Sequence, residues 1–173
     1  MTWVKCSCGK QLRLPASLPE KAAMLARHIL VPTDGTAQSE TATDVAVRLA
    51  KALGARVTFL HVCPLFHTYG YLMEMLEEDR ATFFQRTEEQ AQSYLSVAAQ
   101  AAKRAGLDCD VVSERDEHPH RAIIKSANAR GCDLICMASH GRRGLEGFLL
   151  GSETQKVLTH STIPVLVIPA ARA

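Results

Sequence analysis

With 173 residues, 47% of them hydrophobic and 22% charged, the chain has the composition of a globular protein with one well-buried core and is too short for two ordinary domains. Its formal net charge of +2 conceals an asymmetry, because residues 1–27 hold five Lys or Arg against one Glu and leave residues 28–173 at −2. A mildly acidic body with only 5% aromatic residues argues against a basic nucleic-acid footprint and against an aromatic platform for single strands.

No stretch approaches the roughly 18 consecutive apolar residues of a membrane span. The first residues carry Cys, Gly and Lys where a signal peptide needs an apolar run. The expectation is a cytoplasmic protein whose partners are neither nucleic acid nor membrane.

In chain order, residues 1–27 read as an extension and 28–173 as the domain. The run Cys6-Ser-Cys8-Gly-Lys-Gln-Leu-Arg-Leu-Pro15 resembles the opening half of a zinc-ribbon module, but no cysteine follows until Cys63. A four-ligand site would need His28, another ligand from the core or a second subunit, so no metal residue is assigned. The extension is expected to be a free arm or one packed on a partner subunit. Cys63, Cys109, Cys132 and Cys136 fall mostly in strand-like segments and read as reduced, structural thiols.

His28-Ile-Leu-Val-Pro32 is a short apolar run that ends in Thr-Asp-Gly, which predicts a strand giving way to a turn. Ala42, Val45, Ala46, Leu49, Ala50 and Leu53 then recur at helical spacing, with Gly54 placed to end the helix. Arg56 to Val62 predicts a second strand, 63–71 a loop, and the Gly- and Pro-free segment to Ala105 a long helix. Leu107 to Val112 with its flanks predicts a third strand, and Pro119 opens a helix reaching about Arg130. Asp133 to Ala138 predicts a fourth strand, 152–160 a further helix and Ile163 to Ile168 a final strand. Strands that alternate with helices and are apolar nearly throughout indicate an open α/β sandwich, a parallel sheet covered on both faces. Ligands of such sheets sit beyond the carboxyl ends of the strands, where strand order reverses. That rule gathers Thr33, Asp34, Val62 and the 138–151 loop around one crevice.

The loop segment runs Met137-Ala-Ser-His-Gly-Arg-Arg-Gly-Leu-Glu-Gly-Phe-Leu-Leu-Gly-Ser152, after a strand and before a helix. Its glycines allow tight turns and close approach of backbone to a ligand, and Gly151-Ser152 sets amides at a helix start, where phosphate oxygens can be held without lysine. The same glycines also fit a loop that serves only the turn. Neither a G-x-x-x-x-G-K-[ST] run nor a G-x-G-x-x-G run after the first strand is present, which disfavours P-loop hydrolysis and dinucleotide binding.

Ala138-x2-Gly141-x9-Gly151-Ser152 is similar to the G-x2-G-x9-G-[ST] loop of the universal stress protein family, except at its first position. Ile29-Leu-Val-Pro-Thr-Asp-Gly-Thr, Leu60-His-Val62 and Thr162-Ile-Pro-Val-Leu-Val-Ile168 resemble the same family, so that residues 28–169 match in order. The resemblance implies a five-stranded parallel sheet in order 3-2-1-4-5, an adenine nucleotide as ligand and a homodimer paired through the last strand. Carried onto this chain, it implies that Pro32, Thr33 and Asp34 line the adenosine, with Asp34 at the ribose hydroxyls, and that the Val62 backbone meets adenine. It further implies that Met137, Ala138 and Gly141 line ribose and phosphates, while Gly151, Ser152 and Thr154 hold the phosphate chain.

The ligand so implied is ATP, or else ADP or AMP, with or without Mg2+. Asp34 and Ser152 also suit plain capping roles, His61 suits a packed core position, and Ser139-His140 do not make a triad. No catalytic residue is assigned, and at most slow intrinsic ATP hydrolysis is expected. The expected function is a nucleotide-binding stress-response regulator; the alternative is a dimer of the same fold that binds no nucleotide and acts through an unidentified protein partner.

Overall fold

The computed structural model describes residues 2–5, 11–14, 26–66, 80–140 and 150–169. Strands β1 (Thr2–Lys5) and β2 (Gln11–Leu14) pair antiparallel, from Thr2 opposite Leu14 to Lys5 opposite Gln11. Cys6 and Cys8 lie outside the described residues. The body then alternates: β3 (His28–Pro32), α1 (Ala37–Leu53), β4 (Arg56–Cys63), α2 (Arg80–Ala105), β5 (Cys109–Arg115), α3 (Pro119–Ala129), β6 (Leu134–Ala138), α4 (Ser152–His160) and β7 (Val165–Ile168). Its sheet is parallel throughout, in spatial order β5-β4-β3-β6-β7. Numbering these strands 1 to 5 in chain order gives 3-2-1-4-5, the order that the resemblance implies.

The strands are apolar on both faces because both faces are covered. Ile29, Val31, Val57, Phe59 and Cys136 pack with Ala46, Ala50, Leu95, Ala98 and Ala102 beneath α1 and α2. Leu30, Leu60, Ile135 and Met137 pack with Ile123, Ala127 and Val157 beneath α3 and α4. The small alanines on α1 and α2 let these helices lie close to the sheet, which accounts for the low aromatic content.

Helix ends follow their local chemistry. The Thr36 hydroxyl accepts from the Ser39 amide to start α1, and Gly54 ends it at φ +66°, with the Ala55 amide donating to Ala50 O. Two boundaries differ from expectation. Leu107 lies just past α2 and caps it, its amide donating to Ala102 O, so β5 starts at Cys109 and extends past Val112 to Arg115. The last strand starts at Val165, because the Ser161 hydroxyl binds the Ile163 amide and Pro164 has no amide hydrogen to give a ladder. At the other end, Ala26 is buried in the core, and the Arg27 and His28 amides donate to the Asp133 carboxylate. None of the described helices is long and apolar enough to cross a membrane.

Candidate functional site

The chain leaves β3 toward β4 on one side and β6 on the other, so strand order reverses at β3. Leu30 pairs with Ile135, and continuing that register brings the carboxyl ends of β3 and β6 side by side. Pro32, Thr33 and Asp34 therefore stand beside Met137 and Ala138, with Val62 near the end of β4 on the far side of β3. The sequence-predicted crevice is thus assembled from residues widely separated in the chain. Gly141 and the rest of 141–149 lie outside the described residues.

Each wall is tied down by specific bonds. The Thr33 amide donates to Leu60 O at 2.9 Å, and the Thr33 carbonyl meets His61 Nδ1 at 2.7 Å. His61 is buried and sits edge-on to Tyr94, with ring centres 5.3 Å apart, the packed role that its apolar neighbours predict. The half-buried Asp34 carboxylate accepts the Thr36 hydroxyl at 2.7 Å and the Thr36 amide at 3.1 Å. It therefore orients the cap of α1 while standing at the crevice. Gly35 has φ +75°, and a Cβ there would lie 2.1 Å from the Tyr94 ring, so the turn needs glycine for both conformation and space.

On the β6 side, Ala138 is a regular strand residue paired with Ile168 and does not need a left-handed backbone. Strand alternation directs its methyl to the face of Cys136, away from that of Met137. The Ser139 amide donates to Ile168 O and the Ser139 carbonyl accepts the Gly151 amide, both at 2.8 Å, which pins the start of α4 to the end of β6. Thr154 is buried, and its hydroxyl donates to Ala138 O at 3.0 Å. Gly151 and Thr154 thus spend these donors on the fold. The first amide bonded within α4 is that of Gln155, to Gly151 O, so the Ser152, Glu153 and Thr154 amides have no partner inside the helix. Glu153 and Thr154 amides are consequently the contribution that the glycine pattern alone does not single out.

Beside the crevice, a small cleft between α1 and α2 is lined by Thr33, Gly35, Glu40, Thr43 and Tyr94 among others. Of the predicted ligand-binding residues that are described, only Thr33 lines it. The Ser139 hydroxyl and His140 Nδ1 are 3.0 Å apart. Among the described residues no group of three or more His, Cys, Asp or Glu is arranged to hold a metal ion. Cys63, Cys109, Cys132 and Cys136 are free thiols, and burial pushes those of Cys132 and Cys136 up to about 11, which keeps them protonated and inert.

The arrangement defines an open α/β protein with a crevice at its switch point, walled by a carboxylate on one strand end and by helix-start amides at the next. Residues 26–169 match the model of the universal stress protein family, and the chain belongs to that family. It is 30% identical over 148 residues to the universal stress protein YxiE of Bacillus subtilis, covering 81% of this chain and 97% of that protein. The solved structure of the protein MJ0577 of Methanocaldococcus jannaschii superposes with a TM-score of 0.71 at 26% identity, covering 86% of this chain and 99% of that one. A universal stress protein in complex with cAMP shares the fold at a TM-score of 0.60 and 23% identity, covering 85% of this chain and 99% of that one.

Proposed function

We propose that this chain is a cytoplasmic, homodimeric stress-response regulator that binds ATP in the crevice between the carboxyl ends of β3, β4 and β6. The observation that carries the reading is the row of Ser152, Glu153 and Thr154 amides, without partners in their helix, next to the strand end that faces Asp34. Amides at a helix start attract phosphate through their hydrogens and the helix dipole, and a carboxylate can accept from both ribose hydroxyls. The cAMP complex adds that a protein of this fold can hold an adenosine phosphate. Helix-start amides and a carboxylate hold phosphate and ribose without breaking a bond, and binding is the role that this chemistry suits.

Titration calorimetry tests it. Wild type should bind ATP, and Gly151→Val, which puts a branched side chain at the start of α4, should lose at least about tenfold in affinity, about 1.4 kcal/mol. Ala138→Gly should change affinity by less than about threefold, because Ala138 is unstrained in β6 and its methyl follows the Cys136 face. A folded wild-type dimer that binds neither ATP, ADP nor AMP at millimolar concentration would overturn the reading and favour action through a protein partner.

A further inference from the structure

We propose that the cleft between α1 and α2 binds a small zwitterion with separated charges, an ω-amino acid of three or four carbons, independently of the nucleotide crevice. The cleft lies on the sheet face away from α3 and α4, and its charged walls are Glu40 and Asp44 on α1 and Arg104 on α2. Glu40 and Asp44 are one helical turn apart and so share a face. Among the described residues none of these three side chains enters an ion pair. Opposite charges thus border one space without pairing across it.

A second, independent observation comes from Thr43. It lines the cleft at only 3% exposure, and its hydroxyl is the buried side-chain group that finds no hydrogen-bond partner among the described residues. A helical threonine can bond the carbonyl four residues back, as Thr41 does to Ala37 O and Thr87 to Phe83 O. Thr43 does not. A buried hydroxyl without a partner costs free energy, and native proteins seldom keep one without a reason. A ligand that bonds this hydroxyl removes the cost only while bound, so the cost becomes part of its binding energy.

Size and lining select the ligand. The cleft holds about 100 Å3. A cavity of about 150 Å3 admits benzene, so this one suits about five to seven non-hydrogen atoms and is too small for a polyamine, a peptide or a nucleotide. Beside the charges lie Val97, a large apolar residue left 45% exposed, and the buried Ala98. Methylenes laid on these two leave water, while an ammonium group meets the Glu40 and Asp44 carboxylates, the Thr43 hydroxyl and the Tyr94 ring, and a carboxylate meets Arg104. The Tyr94 wall is already set, because the Gln90 amide donates to its hydroxyl and His61 meets the ring edge-on. A ligand with one charge leaves the guanidinium or the carboxylates unmatched. An α-amino acid carries both charges on one carbon and does not span the two helices.

The test titrates the isotope-labelled full-length chain, without nucleotide, with γ-aminobutyrate and follows amide NMR signals. Saturable shifts are expected at Thr43, Val97 and Ala98, with a Kd near or below about 1 mM. Butylamine and butyrate, each lacking one charge, and alanine should bind at least about threefold more weakly. Arg104→Gln should weaken γ-aminobutyrate at least about threefold and leave butylamine within about twofold, because the lost pair is already missing there. Thr43→Val removes the unpartnered hydroxyl, so it should keep or raise the melting temperature and yet weaken γ-aminobutyrate at least about fivefold. Arg104 is exposed, so its variant keeps the test readable if Thr43→Val melts. Absence of saturable shifts at tens of millimolar γ-aminobutyrate would overturn the proposal. Equal affinity for butylamine, butyrate or alanine, or undiminished affinity in a folded Thr43→Val or in Arg104→Gln, would do the same.

Discussion

At the scale of single residues, the proposed function gives Asp34 a ribose-binding duty beside its observed capping of α1, and the two make different physical demands. Bonding the Thr36 hydroxyl and amide needs only an acceptor oxygen, whereas gripping two ribose hydroxyls draws on the full carboxylate charge. Asp34→Asn should therefore keep the start of α1, with stability within about 0.5 kcal/mol of wild type, while ATP affinity falls by about tenfold or more. Asp34→Ala should lose both, with a further stability cost of about 1 kcal/mol. Urea denaturation read beside calorimetry separates the two effects.

His28 makes a different kind of prediction. Its buried Nε2 lies 2.7 Å from the Thr58 hydroxyl, and burial, reinforced by the Arg56 charge, lowers its pKa below the ordinary 6.5. The folded chain thus takes up this proton less readily than the unfolded chain. The associated stability is complete above about 6.5 and is lost as pH falls toward the depressed folded value. The urea midpoint should drop between about pH 7 and about pH 5, and His28→Gln should shrink that drop. An equal drop in the variant would assign acid sensitivity to other groups.

At the scale of elements, the turn from β3 into α1 is where conformation and packing coincide. Gly35 holds φ +75° against the Tyr94 ring, and Tyr94 comes from the middle of α2 to meet His61 of β4 edge-on. One contact therefore fixes a turn, a helix and a strand together. Gly35→Ala should cost about 2 kcal/mol or more, from the left-handed backbone plus the displaced ring. Adding Tyr94→Ala should return the steric part and leave about 1 kcal/mol of backbone cost, so the two changes will not add in a double-mutant cycle.

At the scale of the whole molecule, the sheet has two edges, β5 and β7, and neither is covered by another described strand. β7 offers Val165–Ile168, four half-buried apolar residues, whereas β5 carries Asp110, Glu114 and Arg115 among its residues. An apolar strand with unpaired edge groups favours pairing with a second copy, while charges along an edge oppose it. Sedimentation should find a dimer at micromolar protein. A chain shortened to begin at Ala26 should remain dimeric and unfold cooperatively, because the buried core and its ties to Asp133 start there. A monomer in either case would exclude β7 pairing as the assembly.

What the sequence alone determined was local. Apolar runs of strand length, helical spacing from Ala42 to Leu53, Gly54, Gly106 and Gly131 after the first three helices and Pro119 at a helix start all act within a few residues, so they read directly as an α/β alternation. The crevice was legible for the same reason: in a parallel sheet every strand end lies on one side, which collects Asp34, Val62 and Ala138 whatever their separation. Tertiary structure decided which donors remain for a ligand. Ser139 takes the Gly151 amide and Ala138 takes the Thr154 hydroxyl, contacts across the loop that composition does not encode. It also placed Val97 and Arg104 of α2 around one cleft with Thr43 and Asp44 of α1. Such pairings depend on how two helices cross over a shared apolar core, and the energy that sets the crossing is spread over many side chains and resides in no single motif.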